Sequence, residues 1–390
     1  MIYVGQSKTD RFGSFHKSIN FLVKIANCLG LLPVTGLATE FKWRSWKCLY
    51  TFTIMAIFVT NSVICIINWT FVKFSLKLLG TQMNVINALT SLVLYVKLAK
   101  KWPKLVKVWS EVDRKMNQVY GYPKNLDQRI AVATCAIFVA AIGEYILLMA
   151  YHILMSTING RQFDIEYFYL SVFPEFFSVV DFNGYTAFIA NIATMIGHMI
   201  WSFNDLFIIV ISSALALRFK QITDRLYLDQ KKPNSNNYWI QIRADYDRLV
   251  YLSKKVDKYI SSIVLLSYAA NIFFLLVQLS NVIGHLNYNI QVFYYTYSFS
   301  FLIARLAIVS LYGAWVSEES REPAFCLQSL PSATYNLEIR RLLLQISFND
   351  VAITGSKMFK ISRSLLLHVA GAIVTYELVI IQFNNAEELQ

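Results

Sequence analysis

Five side chains that can form hydrogen bonds or stack lie on one face of a predicted helix inside an otherwise apolar stretch. They are Asn191, Thr194, His198, Trp201 and Asp205, at successive intervals of 3, 4, 3 and 4 residues. This spacing is typical of one stripe of an α-helix. Amide, hydroxyl, imidazole and carboxylate groups offer donors and acceptors, and an indole offers a flat apolar face. The set suits a small neutral polyol, whose hydroxyls need paired donors and acceptors.

Similar polar and aromatic side chains recur in four other apolar stretches. The resulting candidates for a ligand site open to the outside are Asn84, Asn87, Glu144, Tyr151, His152, Asn191, Thr194, His198, Trp201, Gln278, Asn281, Tyr294 and Tyr297. For any single amide or hydroxyl, the alternative is an interhelical hydrogen bond that only holds helices together. As a set, they predict a polar cavity that binds a ligand.

Three ionisable side chains in these stretches are expected to neutralise one another. Glu144 and Arg305 both fall near the middle of the membrane, and Asp205 is an alternative partner for Arg305. Because charges are costly in hydrocarbon, a structural ion pair among these residues is predicted. Acid–base work by Glu144, His152 and His198 is the catalytic alternative. No nucleophile-plus-base motif or metal-ligand spacing accompanies them, so the sequence predicts no enzyme, no metal and no cofactor.

The last apolar stretch carries a thin stripe of polar or small residues on a helix that is otherwise apolar. The stripe consists of His368, Ala372, Thr375, Val379 and Gln382. If several copies met at an axis, Thr375 and Gln382 would face a pore, and Val379 or the neighbouring Phe383 could close it by dewetting. Packing of the small-residue face against another helix is the alternative, and periodicity alone does not choose between them.

These side chains must be positioned by helices that span a membrane. The chain is 56% hydrophobic and only 15% charged. Backbone groups in lipid must bond within their own segment, so the apolar stretches predict an all-α membrane protein with seven transmembrane helices. The predicted spans are Cys48–Trp69, Leu78–Val96, Ile130–Met155, Tyr185–Leu217, Tyr259–His285, Ile290–Val316 and Leu365–Phe383.

The basic residues predict the orientation of the chain. Of the 36 Lys and Arg residues, 32 lie before the first span or in alternate gaps between spans. Positive charge is retained on the cytoplasmic side during insertion, so the N-terminus is expected inside and the C-terminus outside. The net charge of +12 favours contact with the anionic inner leaflet over binding of nucleic acid.

The segments between the spans have expected roles as well. Residues 1–47 form a cytoplasmic N-terminal segment in which Phe21–Leu37 predicts an interfacial or re-entrant helix. The glycosylation sequon at Asn68 lies too near the membrane for modification to be expected. The full expected order is 1–47, spans one to four within 48–217, a cytoplasmic helical extension at 218–258, spans five and six within 259–316, a cytoplasmic segment at 317–364, the pore-lining seventh span at 365–383 and an extracellular tail at 384–390.

Three sequence blocks resemble one family of membrane receptors. The segment from Thr375-Tyr376 to Gln382-Phe383 resembles the C-terminal signature of insect gustatory receptors, although Glu377 departs from its apolar positions. The block that begins Trp201-Ser-Phe-Asn-Asp, together with Asn349-Asp-Val-Ala-Ile-Thr-Gly, is similar to the sugar-receptor branch of that family. The predicted orientation also agrees with the family.

The resemblance implies a tetrameric, ligand-gated channel with the insect chemoreceptor channel fold, in the plasma membrane of sensory neurons. A sugar would be its ligand, Na⁺, K⁺ and Ca²⁺ its permeant ions, and related gustatory receptors its partners in a homo- or heterotetramer. It also implies that 218–258 and 317–364 form a shared anchor, that Gln382 lines the pore and that Phe383 is its hydrophobic gate. The rival functions are a secondary transporter for a small polar solute and a receptor of the G-protein-coupled type.

Overall fold

A computed structural model describes residues 14–35, 40–69, 76–157, 163–229, 235–283, 288–332 and 335–387 of the chain. The elements in chain order are α1 (Ser14–Cys28), α2 (Trp46–Trp69), α3 (Leu76–Tyr120), α4 (Leu126–Thr157), α5 (Ile165–Val172), α6 (Pro174–Phe177), α7 (Gly184–Asp229), α8 (Asn236–Ile283), α9 (Asn289–Gln328), α10 (Leu337–Phe348), β1 (Thr354–Gly355), β2 (Phe359–Lys360) and α11 (Arg363–Glu387). The predicted all-α class is confirmed, with one two-stranded hairpin before the last helix.

Six helices of the described part of the chain are long and apolar enough to cross a membrane. They are α2, α3, α4, α7, α8 and α9. They contain the first six predicted spans, the fifth of them up to Ile283. The seventh predicted span lies within α11. The apolar segment Arg363–Tyr376 of this helix is shorter than a full span. The seventh crossing therefore stays a prediction. His285 and residues 388–390 of the predicted tail lie outside the described residues.

Four of these helices are much longer than a membrane is thick. α3, α7, α8 and α9 contain 45, 46, 48 and 40 residues, whereas about 20 residues cross the hydrocarbon. The helical continuation of α7 and the resumption of a helix near Tyr238 follow the sequence prediction. The sequence made no prediction for the helical part of α3 beyond its span, which ends at Val96. Its Lys-rich continuation is helical since Leu98, Trp102 and Trp109 form a buried stripe against the body.

α7 lies at the centre of the molecule. Every residue from Met199 to Phe219 is buried, and the helix packs against α3, α4, α8 and α9. A helix that is apolar on all sides is buried on all sides. Aromatic rings join it to α3, since Tyr95 lies edge-on to Phe203 and to Phe207 at centroid distances of 5.6 and 5.5 Å. Trp201 and Asp205 of the polar stripe are therefore held in the interior of the bundle, whereas Asn191, Thr194 and His198 are partly buried.

Arg218 connects α7 to the end of α3. Its Nε and Nη2 donate to one carboxylate oxygen of Asp113, with the Nε bond at 2.8 Å, and both side chains are 3% exposed. Nη1 donates to the carbonyl of Gly121 at 3.0 Å. Gly121 has φ +72°, a conformation that glycine adopts without strain, and it ends α3 at the point where this carbonyl turns toward Arg218. The contact fixes the C-terminal part of α7 against the C-terminal end of α3.

The hairpin of β1 and β2 precedes α11 and is held by α8. The backbone N–H and the hydroxyl of Thr354 donate to Asp257 Oδ1 at 2.7 and 3.0 Å, and Ser356 N–H donates to the Ser261 carbonyl at 3.0 Å. Gly355 is required because a Cβ there would lie 2.3 Å from the ring of Phe359. The segment before α11 therefore follows α8 closely.

α1 is a helix whose inner face packs against the body. Ile19, Leu22 and Ala26 are at most 1% exposed, while Phe21 on the opposite side is 52% exposed. The sequence analysis placed a helix at Phe21–Leu37, whereas α1 ends at Cys28. Whether the exposed face lies in a membrane interface stays a prediction.

Candidate ligand-binding cavity

A cavity of about 280 Å³ lies inside the bundle at the end opposite to the long basic extensions. Its walls come from α2, α3, α4, α7, α8 and α9, and the loop segment around α6 covers it. Eight residues proposed from the sequence line it: Asn84, Glu144, His152, Thr194, His198, Trp201, Gln278 and Tyr294. Helices far apart in sequence thus bring the predicted polar faces together.

Glu144 and His198 are a pair of ionisable side chains in the cavity wall. His198 Nε2 lies 3.2 Å from Glu144 Oε2, and their side chains are 15% and 6% exposed. The other carboxylate oxygen accepts a hydrogen bond from Ser298, whose hydroxyl accepts one from Gln278 at 3.0 Å. The Ser298 hydroxyl orients the buried carboxylate, and its second oxygen contacts the imidazole without an aligned hydrogen bond. Gln278 and His198 are themselves oriented toward the cavity by this arrangement.

Trp201 forms the floor of the cavity and is tied to a buried ion pair beneath it. Its indole N–H donates to Asn271 Oδ1 at 2.9 Å, and Asn271 donates to Asp205 at 3.1 Å. Arg305 Nη2 and Nε lie 2.7 and 2.8 Å from Asp205 Oδ2. The Arg305 guanidinium is also 4.3 Å from the Trp201 ring centroid, a cation–π distance. The position of the floor therefore depends on the ion pair.

Glu144 does not take part in the pair with Arg305 that the sequence analysis expected. It neighbours His198 and Ser298, and Ser298 precedes Arg305 by seven residues on α9. No ion pair joins Glu144 to Arg305 among the described residues. Asp205 is the partner of Arg305.

Five other proposed ligand residues lie behind the cavity wall or beside it. Tyr297 donates to the Ala140 carbonyl at 3.1 Å, and Asn87 is buried. The other three contact lining residues: Tyr151 stacks on Tyr294 at a centroid distance of 5.6 Å, Asn281 donates to Gln278 at 3.4 Å, and Asn191 accepts a hydrogen bond from Tyr145. Tyr151, Asn281 and Asn191 therefore hold side chains that line the cavity in place. Helix faces alone could not separate these supporting residues from the lining ones.

The cavity also has lining residues that the sequence analysis missed. They include Phe58, Asn61, Thr81, Tyr145, Phe173, Glu175 and Phe274. Thr81 precedes Asn84 by three residues, so the polar face of α3 could have been extended to it. Phe173 and Glu175 lie in the connection after α5, outside any span, and a search restricted to spans cannot find them.

The whole chain matches one receptor family. The family model described as trehalose receptor matches residues 4–390. The chain belongs to the trehalose receptor family of insect gustatory receptors. The predicted resemblance to the sugar-receptor branch is thereby confirmed, and the relatives are receptors rather than enzymes.

Individual relatives and solved structures agree with this assignment. "Gustatory receptor for sugar taste 64a" of Drosophila melanogaster is 31% identical over 393 residues, with 95% of this chain and 85% of the relative covered. "Gustatory receptor 5a for trehalose" of the same species is 25% identical over 394 residues, with 96% and 86% covered. The insect olfactory receptor OR5 of Machilis hrabei has a TM-score of 0.74 at 13% identity, with 94% of this chain and 98% of that chain covered. This gustatory receptor therefore has the insect olfactory receptor fold.

In the receptor, Asn68 holds the cover of the cavity. Its amide is 4% exposed and donates to the Glu175 carbonyl at 2.6 Å and to Ser178 Oγ at 2.7 Å. Glu175 lines the cavity, so the amide fixes the α6 segment on α2 above the ligand space. A glycan on this nitrogen would replace one of its two hydrogens and remove at least one of these hydrogen bonds.

The proposed pore residues of the receptor lie on α11, away from the cavity. Thr375 is exposed and its hydroxyl donates to the Gly371 carbonyl at 2.9 Å. Val379 is 41% exposed, and Gln382 is exposed. Phe383 lies within the helix, and its side chain is not described. No described residue of α11 lines the cavity.

Proposed function

We propose that this gustatory receptor is a sugar-gated, nonselective cation channel of sensory neurons, assembled as a homo- or heterotetramer. The observation that carries the proposal is the cavity, in which carboxylate, imidazole and amide groups surround a space floored by an indole. A volume of about 280 Å³ is at the small end of ligand sites. The relatives named for sugar taste and trehalose support a sugar as the ligand.

The proposed mechanism couples the cavity to α11 through the helices between them. Sugar binding stabilises one arrangement of α7, α8 and α9, and this arrangement lets α11 move outward from the central axis. A ligand shifts such an equilibrium only by its difference in affinity for the two states. Na⁺, K⁺ and Ca²⁺ then pass, and the neuron depolarises.

Expression in a cell without taste receptors, followed by current recording during application of a sugar panel, tests the proposal. We expect at least one sugar to evoke a cation current. Uptake of labelled sugar without current would support the secondary transporter. A tag at residue 1 that antibodies reach on intact cells would support the orientation of a G-protein-coupled receptor.

The cavity itself is tested by W201A, which removes its indole floor. Stacking on an aromatic ring contributes roughly 0.5–1.5 kcal/mol, so we expect the half-maximal sugar concentration to rise about twofold to tenfold. W46A is the matched control, because Trp46 is 84% exposed and far from the cavity. Wild-type sensitivity of W201A to every active sugar would remove this cavity as the binding site.

A further inference from the structure

A second recess lies on the outer surface of the bundle between α4 and α9, apart from the sugar cavity. It has a volume of about 610 Å³. A smaller groove of about 210 Å³ continues it toward the start of α11, and the two share Arg129 and Tyr312. The recess is at the basic end of the predicted spans, because Arg129 directly precedes the third of them.

The recess changes from polar to apolar along its length. Asn125, Gln128 and Arg129 lie at one end, and Ala136 of α4 and Ile308 of α9 form walls farther along. Gln128 and Ala136 are eight residues apart, which is about 12 Å along a helix. A polar end that leads into an apolar slot parallel to the helices matches the headgroup and acyl chain of a lipid.

Arg129 is the cation at the polar end that remains available to an outside anion. It is exposed, its guanidinium is 5.3 Å from the Trp315 ring centroid, and no described residue forms an ion pair with it. Arg363, in the adjoining groove, is already paired, with its Nε 2.6 Å from Glu318 Oε1. Trp and Tyr side chains are characteristic of the level at which lipid headgroups lie.

We propose that this recess binds one anionic glycerophospholipid from the leaflet on the basic side of the receptor. The lipid phosphate lies against Arg129, whose planar guanidinium matches phosphate oxygens, and one acyl chain lies between Ala136 and Ile308. Anionic headgroups concentrate in the cytoplasmic leaflet, where the basic ends of the helices are expected. The lipid site is independent of the sugar cavity.

The test uses the full-length receptor in nanodiscs of phosphatidylcholine with and without phosphatidylserine. Native mass spectrometry counts the phosphatidylserine molecules that stay bound as collision energy rises. We expect the wild type to retain phosphatidylserine in preference to phosphatidylcholine. R129Q should retain it about fivefold less, since one basic residue at a membrane surface contributes that much. A136W should also lose it, because the indole fills the slot while Arg129 stays in place.

R114Q is the matched control, since Arg114 is exposed on α3 and lies outside the recess. An equal loss in R129Q and R114Q would mean only diffuse attraction to charge, and it would overturn the proposal. Unchanged retention in both R129Q and A136W would overturn it as well. If A136W instead broke up oligomers while lipid retention stayed at the wild-type level, the recess would be a contact between copies of the chain.

Discussion

Asp205 and Arg305 form an ion pair in which neither side chain is more than 1% exposed. Loss of one partner leaves an uncompensated buried charge, at a cost of about 3–5 kcal/mol. We therefore expect D205A to lose most of its surface expression and to melt at a lower temperature after purification. D205L combined with R305M should recover part of the loss, because it removes both charges.

The control for this prediction is D224A. Asp224 lies 3.6 Å from Lys220 in an exposed pair on the same helix, and such pairs contribute at most about 1 kcal/mol. Equal effects of D205A and D224A on melting would show that burial of the first pair has no energetic role.

Asn68 gives a second prediction at the level of one residue. Because its amide is buried and donates twice to the α6 segment, we expect no glycan on it, and N68A should raise the half-maximal sugar concentration by loosening the cavity cover. T70A removes the sequon but keeps the amide, so it should respond to sugar as the wild type does. A faster-migrating T70A band on a denaturing gel would reveal a glycan and contradict the prediction.

Among the elements, α8 extends from the cavity to the hairpin before α11. Gln278 near one end lines the cavity, and Asp257 near the middle binds Thr354 of the hairpin. D257A removes the acceptor for both the backbone N–H and the hydroxyl of Thr354. We expect it to reduce sugar-evoked current several-fold with little change in surface expression, whereas T354V, which keeps the N–H, should have a smaller effect.

D247A on α8 is the control, because Asp247 is exposed and lies outside the hairpin contact. Current recording shows whether binding still opens the channel, and surface labelling shows whether the variant still folds and reaches the membrane. Wild-type currents in D257A would mean that the hairpin does not transmit the movement of α8.

The sequence predicted the elements better than their ends. Periodic apolar residues reveal a helix wherever one face is buried, so the positions of six spans agree with the structure. The sequence made no prediction for the helical continuation of α3 beyond its span, because lysines on its outer face hide the buried stripe of Leu98, Trp102 and Trp109 from a hydropathy window. The polar helix faces predicted eight of the cavity residues. Contacts between distant segments, such as the hydrogen bond from Asn68 of α2 to the Glu175 carbonyl, depend on tertiary packing that residue spacing does not encode.

For the whole molecule, the proposed assembly places four copies of α11 around one axis. Gln382 would then form a ring of four amides, and Q382E would convert it to a ring of carboxylates. We expect the permeability ratio of Ca²⁺ to Na⁺ to rise in Q382E. Q241E is the control, since Gln241 is exposed on α8. An unchanged permeability ratio in patch-clamp recordings would remove α11 from the pore.

The cavity wall and α11 share no described residue. In the proposed channel, heritable changes that alter which nutrients an animal notices can therefore accumulate without disturbing the electrical message sent to its brain. A species that changes its diet would need substitutions only in the cavity wall, while the ion current through the pore stays the same.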